Sequence, residues 1–418
     1  MSQRSIVIIG GGIIGCTTAY YITRHPRFEA GLTSVVVLEA SSVAGGASGK
    51  AGGLVAKWAY PKELVDITFA EHEKLAKEHD GATRWGFRYT GCGQWTGRGE
   101  DLKDVGEMTA KVSLEKKDGL ISGAKSATRD TEMPADLDWV KEELTDAYEP
   151  MAGDGETAQV HPYQFTTSMC ELAQDMGAEL VIGKATAIEY SGPRDERAVS
   201  GVSYVDEAGE KTTIPATTVI VSAGPWTSTL VPSAPISGTR AHSITIRPTR
   251  PVSAYALFTE ISLPRASFQS TFGSPEIYAR PNNEVYACSP GDGEPLPAST
   301  KDVKVDKQVC ETLFKEVSAI SPELRGGEVT VNQACYLPNV NSGPRGCPIV
   351  GKVDDVEGLI IAAGHTCWVR LIISYISFAD LPQGICNAPG TAKVISELAM
   401  DGKVQCAQVF RLAPRKFF

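Results

Sequence analysis

Three glycines and one acid near the N-terminus hold the first recognisable chemistry. Gly10, Gly12 and Gly15 stand in G-x-G-x-x-G spacing, and Glu39 follows at about the ~20-residue interval of a dinucleotide fingerprint. The first glycine permits a tight turn, the second lets backbone approach a pyrophosphate, and the third lets a helix lie close against a strand. Freed amides and the positive end of the helix hold phosphate, while the carboxylate accepts hydrogen bonds from an adenosine ribose. A carboxylate there disfavours a 2'-phosphate, so the spacing predicts FAD or NAD rather than NADP. Ile13, Ile14 and Ala40 are the neighbouring candidate contacts.

Such a site needs a strand, a helix and a second strand to position it. Ile6, Val7, Ile8 and Ile9 form an uninterrupted apolar run, the pattern of a strand buried on both faces of a parallel sheet. Residues 13–22 continue as a helix packed on that sheet, and 35–38 form a second buried strand that ends in Glu39. A lone glycine pattern is weak; strand, helix, strand and acid in order are far more specific. Beyond Glu39, residues 43–54 are dominated by small side chains. They imply backbone passing close to a flat ligand at Gly46, Ala47, Gly52, Gly53 and Leu54, with Ser48 and Lys50 offering polar contacts.

Composition bounds the partners. A chain of 418 residues buries a large core, and its net charge of −10 argues against a nucleic-acid surface, which wants a basic patch. The expected partner is a small molecule. Ten cysteines are scattered singly, without C-x-x-C or zinc spacing, and read as reduced thiols of an intracellular protein with no metal site. The first strand leaves no space for a signal or transit peptide, the C-terminus is no peroxisomal address, and no stretch reaches the ~18 apolar residues of a bilayer span. The expectation is a cytoplasmic protein without an integral membrane segment, with peripheral endomembrane association left open.

Periodicity places further elements. Residues 63–79 read as an amphipathic helix, 84–95 as one or two strands, 137–144 as a short helix and 164–176 as a helix leading to a strand at 179–182. A hairpin is expected from 198–205 and 212 onward, buried strands at 218–221 and 359–363, strands at 243–247, 254–258 and 284–288, and a helix over 306–320. His161 reads as a structural loop histidine.

The order of motifs resembles the D-amino-acid oxidase and glycine oxidase superfamily of FAD-dependent amine oxidoreductases. G-A-S-G-K-A-G-G at 46–53 carries the likeness, with Lys50 where most members have arginine; L-D-W at 137–139 and A-A-G-H-T-C-W at 362–368 point to a fungal and plant branch. The likeness covers the whole chain. It implies an α/β fold: a discontinuous FAD-binding Rossmann-like domain of the glutathione-reductase type (1–57, 152–234, 345–418), interleaved with an α+β antiparallel-sheet substrate domain (58–151, 235–344). It implies FAD, with Ala185 and Thr186 against the adenine side and Ala223, Gly224 and Trp226 in a second cofactor-contacting turn. Gly364, His365 and Trp368 would stand beside the isoalloxazine, and Gly384 and Ile385 would open the helix whose positive end faces its pyrimidine ring.

Two departures from the family pattern stand out. Residues 369–383 interrupt it, and their removal yields Trp368-Gly384-Ile385, which restores it. Valine codons begin with GT and glutamine can be CAG, so the stretch reads as an intron retained in frame, favoured because a bulky apolar insert would otherwise sit against the flavin, or as a genuine loop. Second, Leu337 occupies the place where relatives carry an arginine that grips a substrate carboxylate, and Arg345 is the alternative candidate. Cys335 falls where some relatives attach flavin covalently and reads as a buried thiol. The implied reaction is oxidation of a C–N bond in a small amine or amino acid by hydride transfer to flavin N5, with O2 or another acceptor taking the electrons. His365, Trp368 and Arg345 are the catalytic candidates. The rival readings are an FAD-bound regulatory or trafficking protein with little turnover and an NAD-dependent dehydrogenase.

Overall fold

Val- and Ile-rich runs form the centre of one large sheet. In the computed structural model, which describes residues 3–102, 133–193, 196–366 and 384–418, the strands Arg4–Ile9, Thr33–Glu39, Thr218–Val221 and Leu359–Ala363 are buried along most of their length. Trp368 and the stretch 369–383 lie outside the described residues. Strand order across the sheet runs Lys211–Pro215, Ala198–Asp206, Ala178–Ser191, Thr33–Glu39, Arg4–Ile9, Thr218–Val221, Leu359–Ala363, Ile349–Lys352. The neighbours from Ala178–Ser191 to Leu359–Ala363 pair in parallel, and the outer pairs are antiparallel. Register sets Ile9 beside both Leu38 and Val221, so three strands end level. In open parallel sheets ligands bind outside that carboxyl edge.

A second, mostly antiparallel sheet caps this edge, in the order Glu328–Val340, Ile236–Arg247, Glu284–Cys288, Glu276–Arg280, Tyr255–Ser262, Gly91–Arg98, Thr145–Pro150. Its far face packs on the helix Lys307–Ser318, which Asp306 caps by accepting from the Gln308 and Val309 amides. A small sheet of Leu54–Ala56, Thr157–Gln159 and Arg88–Tyr89 joins the two layers. Among the described residues no helix is long and apolar enough to cross a membrane.

Some elements differ from the sequence expectation. Residues 137–144 are not a helix: only Glu142–Leu144 makes a 3-10 turn, because Leu137, Trp139 and Val140 are each drawn into the cap core. Within 84–95 the chain first completes a short helix, Gly81–Trp85, that buries Trp85 against Phe165, and only then forms strands. The helix Lys62–Glu78 sends Leu64, Phe69 and Leu75 into the cofactor-side core, so this part of 58–151 packs apart from the cap.

That helix also repairs another one. Pro389 lies inside Gly384–Met400 and has no N–H to offer the carbonyl four residues earlier, that of Ile385. His72 Nε2 donates to the Ile385 carbonyl at 3.1 Å and to that of Cys386 at 3.0 Å, and the Thr68 hydroxyl donates to the latter at 2.7 Å. The Gly390 amide donates in turn to Thr68 Oγ1. Both partners of His72 Nε2 are carbonyls, so that nitrogen carries the proton. Burial lowers the imidazole pKa to about 4 and keeps it neutral. His72→Leu leaves the buried Ile385 carbonyl without its donor and the Cys386 carbonyl with Thr68 alone, and should cost about 2 kcal/mol. Thermal unfolding should show the midpoint falling by several degrees relative to the parent protein, and an unchanged midpoint would refute the repair.

Candidate active site

The level strand ends create a turn that only glycine can make. Gly10 adopts φ +113°, and a Cβ there would stand 2.9 Å from the Ser222 carbonyl carbon. The Gly11 amide donates to Glu39 Oε2 at 2.7 Å, and the Ser41 amide donates to Oε1 at 2.9 Å. Glu39 thus holds the turn, and a carboxylate with about four acceptor positions keeps capacity for a ribose hydroxyl. Gly12, which begins the helix Ile13–Thr23, has no capping side chain of its own. Ser48 supplies one from the small-residue loop, its Oγ accepting from the Ile13 amide at 2.9 Å.

Between this turn and the cap runs a continuous cavity of about 1640 Å³. Single-ligand pockets measure about 300–1,000 Å³, so this one admits an extended dinucleotide and a substrate together. Gly10, Gly12, Ile13, Ile14, Glu39 and Ala40 line one end. Gly46, Ala47, Ser48, Lys50, Gly52, Gly53 and Leu54 form a wall, with Ala185, Ala223, Gly224 and Trp226 nearby in the lining. Gly364, His365, Gly384 and Ile385 also border it, which brings the N-terminal end of a 17-residue helix to the cavity and favours negative charge there. Gly15 is buried against the Gly10 carbonyl behind the cavity. Thr186 is the exception: its hydroxyl donates to the Ser203 carbonyl on the neighbouring strand, so only Ala185 of that pair reaches the cavity. Pairing within Ala178–Ser191 slips at this point, Ala185 lying opposite Tyr204 and Ala187 opposite Ser203, so Thr186 is the extra residue of a bulge.

These residues fit FAD. Amides and a helix N-terminus await phosphate, an acid awaits ribose, and added Cβ atoms would fill the cradle: one on Gly12 would lie 2.9 Å from Ser48 Oγ. Two cations pin the loop to its neighbours. Lys50 Nζ donates to the Ala334 carbonyl at 3.0 Å, and Arg280, itself buried, donates to the carbonyls of Ala51 and Gly52 and to Glu284. Across the cleft, Trp226 Nε1 donates to the Pro297 carbonyl at 2.7 Å, holding a strap of the cap beside the cofactor turn.

His365 is buried, and its Nε2 sits 2.8 Å from Thr391 Oγ1. Desolvation drops its pKa to about 3, so it stays a neutral imidazole and carries no proton charge at physiological pH. For both buried histidines the folded pKa lies below the unfolded value. Their contribution to stability is full above pH 6.5 and is lost as pH falls toward 4 for His72 and 3 for His365. Leu337 lines the cavity, and Arg345 borders it as an exposed side chain. Cys335 also lines it, and burial pushes its thiol up to about 11. His161 caps the helix Pro162–Gln174 through Nδ1, a structural role. Sequence reasoning missed Arg280 and the pocket-facing Phe258, Glu276, Tyr278 and Tyr286, because strand register alone brings them together.

A family model described as FAD dependent oxidoreductase (DAO) matches residues 5–398. The chain is 31% identical over 518 aligned residues to the putative oxidoreductase TDA3 of Saccharomyces cerevisiae, covering 100% of this chain and 95% of that protein. It is 32% identical over 425 residues to a putative oxidoreductase of Schizosaccharomyces pombe, covering 99% and 98%. Its fold is similar to glycine oxidase from Geobacillus kaustophilus (TM-score 0.67, 17% identity, 99% and 98% covered) and to L-proline dehydrogenase from P. horikoshii (TM-score 0.67, 17% identity, 100% and 98% covered).

Proposed function

The chain belongs to the family of FAD dependent oxidoreductases, and on that premise we propose that it oxidises the C–N bond of a small amine that lacks an α-carboxylate. The observation that carries this reading is Leu337 in the cavity wall, with the exposed Arg345 as the nearby cation. Structural relatives named for glycine and proline act on amino acids, and an apolar leucine gives an α-carboxylate no bidentate partner.

Bound FAD would supply the hydride acceptor for the carbon beside nitrogen and the route for the electrons to O2 or another acceptor. The chain's own residues supply the rest. The Gly10–Gly12 turn and the start of Ile13–Thr23 would hold the phosphates, and Glu39 would hold the ribose. Lys50 and Arg280 keep the small-residue loop in place, and the amides at Gly384 and Ile385 favour negative charge at the far end. His365, neutral and tied to Thr391, positions what lies beside it and moves no proton. The amine therefore arrives already neutral, and the imine product is hydrolysed by water.

The test is stopped-flow reduction of the purified yellow protein, without oxygen, by matched pairs such as N-methylbutylamine and sarcosine. The carboxylate-free member should reduce the flavin at least ten times faster. Its rate should rise with pH as an alkylamine with pKa about 10 loses its proton, with no inflection from His365 between pH 5 and 9. Faster reduction by the amino acids would overturn the substrate reading. Flavin-loaded protein that no amine reduces would favour the regulatory reading instead.

A further inference from the structure

Resting on that amine-oxidising reading, we propose that the cap sheet carries a cation-recognition site centred on Glu276, and that the substrate bears a second nitrogen, bound as an ammonium group remote from the bond that is broken.

The argument begins in strand register. Glu276 lies directly opposite Phe258 on one side and Cys288 on the other. Two residues along, Tyr278 lies between Ala256 and Tyr286. Alternate residues of a strand share a face, so one patch of sheet presents a carboxylate bordered by three aromatic rings, and Phe258, Glu276, Tyr278 and Tyr286 all line the cavity. The rings meet edge to face: Phe258 and Tyr278 have centroids 6.2 Å apart at 76°, Tyr278 and Tyr286 5.8 Å apart at 61°. The Tyr278 hydroxyl donates to Glu276 Oε2 and fixes the orientation of a carboxyl group that is only 6% exposed.

This patch faces the cofactor loop. A Cβ on Gly52 would lie 2.8 Å from the Tyr278 ring, so the ring rests against the small-residue loop. Tyr286 already meets a cation on its ring, the Arg280 guanidinium at 4.5 Å. An adjoining cavity of about 360 Å³ shares Phe272, Ser274, Ser289 and Pro290 with the large one and adds the helix cap Asp306 and Glu316, whose carboxyl burial pushes up to about 7.

The chemistry selects one sign of ligand. A carboxylate and π faces in a desolvated wall attract an ammonium group by charge and by cation–π contact, the pairing by which aromatic cages bind alkylammonium ions. The same wall repels an α-carboxylate. The amine that is oxidised must be neutral, so the charge recognised by Glu276 belongs to a second nitrogen, as in a diamine.

The experiment uses the flavin-loaded protein and four probes. Tetramethylammonium, which has no amine to oxidise, should perturb the flavin absorption band and compete with substrate, with acetate at least tenfold weaker. Glu276→Gln should weaken tetramethylammonium at least tenfold at unchanged flavin content. Phe258→Leu, which keeps the carboxylate, should weaken it about threefold or more. In anaerobic reduction 1,4-diaminobutane should half-saturate at a concentration at least tenfold below that of n-butylamine, an advantage that Glu276→Gln abolishes. Tighter binding of acetate than of the cation, or an unchanged cation titration in Glu276→Gln, overturns the site. Equal reduction by the two amines in parent and variant keeps amine oxidation and overturns the site. Cation binding that depends on Glu276, without reduction by any amine, keeps the site and overturns amine oxidation.

Discussion

Gly15→Ala yields colourless protein. A Cβ at position 15 would penetrate the Gly10 carbonyl oxygen and lie 2.8 Å from Ser222 Oγ, which itself donates to the Ile9 carbonyl. Nothing at this point can yield cheaply. Gly10 is held by the hydrogen bond its amide donates to the Leu38 carbonyl, and the helix Ile13–Thr23 is buried between Pro162–Gln174 and Gly384–Met400. Relief requires the helix to move off the strand, which displaces the phosphate-binding amides and opens a gap beneath Ile6–Ile9. Overpacking in a rigid core costs about 1–3 kcal/mol and more where backbone must shift. Displacement of an anion site by even ~1 Å forfeits most of its hydrogen bonding. The ratio of absorbance near 450 nm to that at 280 nm should fall at least tenfold, with a lower unfolding midpoint. Gly293→Ala is the control, because a Cβ there meets nothing within 4 Å. A yellow, fully loaded Gly15→Ala protein would remove the cradle from this turn.

Much of the cofactor side was legible in residue types alone. The run from Ile6 to Ile9 is buried on both faces, and such a strand is apolar at every position rather than alternating. Gly10 and Gly12 can be read because each meets a local steric demand within a few residues. The cap was harder, for a physical reason. Glu276, Phe258 and Tyr286 lie on three strands, and what makes them neighbours is cross-strand register, set by packing over distances of tens of residues. Local pattern also misplaced 137–144, where Leu137, Trp139 and Val140 enter a core that overrides helical spacing. The helix opens at Gly384, as the resemblance implies, although Pro389 lies inside it. His72, more than three hundred residues away in sequence, makes that start tolerable by serving the carbonyls that the proline leaves. At Thr186 a motif match does not show that strand pairing slips between Ala185 and Ala187, where the hydroxyl turns to the Ser203 carbonyl.

A chain lacking residues 369–383 should bind FAD more tightly than the full chain, by at least tenfold. The described flanks carry the argument. Gly384 lies next to His365: an ideal Cβ on the glycine would stand 3.3 Å from the histidine's carbonyl oxygen, and both residues line the cavity. Neighbours this close need only a short connection, and three residues, Thr366, Cys367 and Trp368, span up to about 10 Å. The full chain instead spends fifteen further residues between two points on the cavity wall, among them Leu371, Ile372, Ile373, Ile376 and Phe378. An apolar run joined in sequence to two residues of the cavity lining would compete with a ligand for the cavity's apolar walls. Shortening the connection from eighteen residues to three also lowers its closure entropy by ~1.6 kcal/mol in the flexible-loop limit, which steadies the helix start at Gly384. Both effects act on the same end of the site, so fluorescence titration of FAD and the unfolding midpoint should improve together. If the shortened chain comes out insoluble or flavin-free while the full chain is loaded, the stretch is a working part of the protein. Sequencing the spliced transcript then gives an independent answer: a message that encodes Trp368 joined to Gly384 marks the fifteen residues as a retained intron.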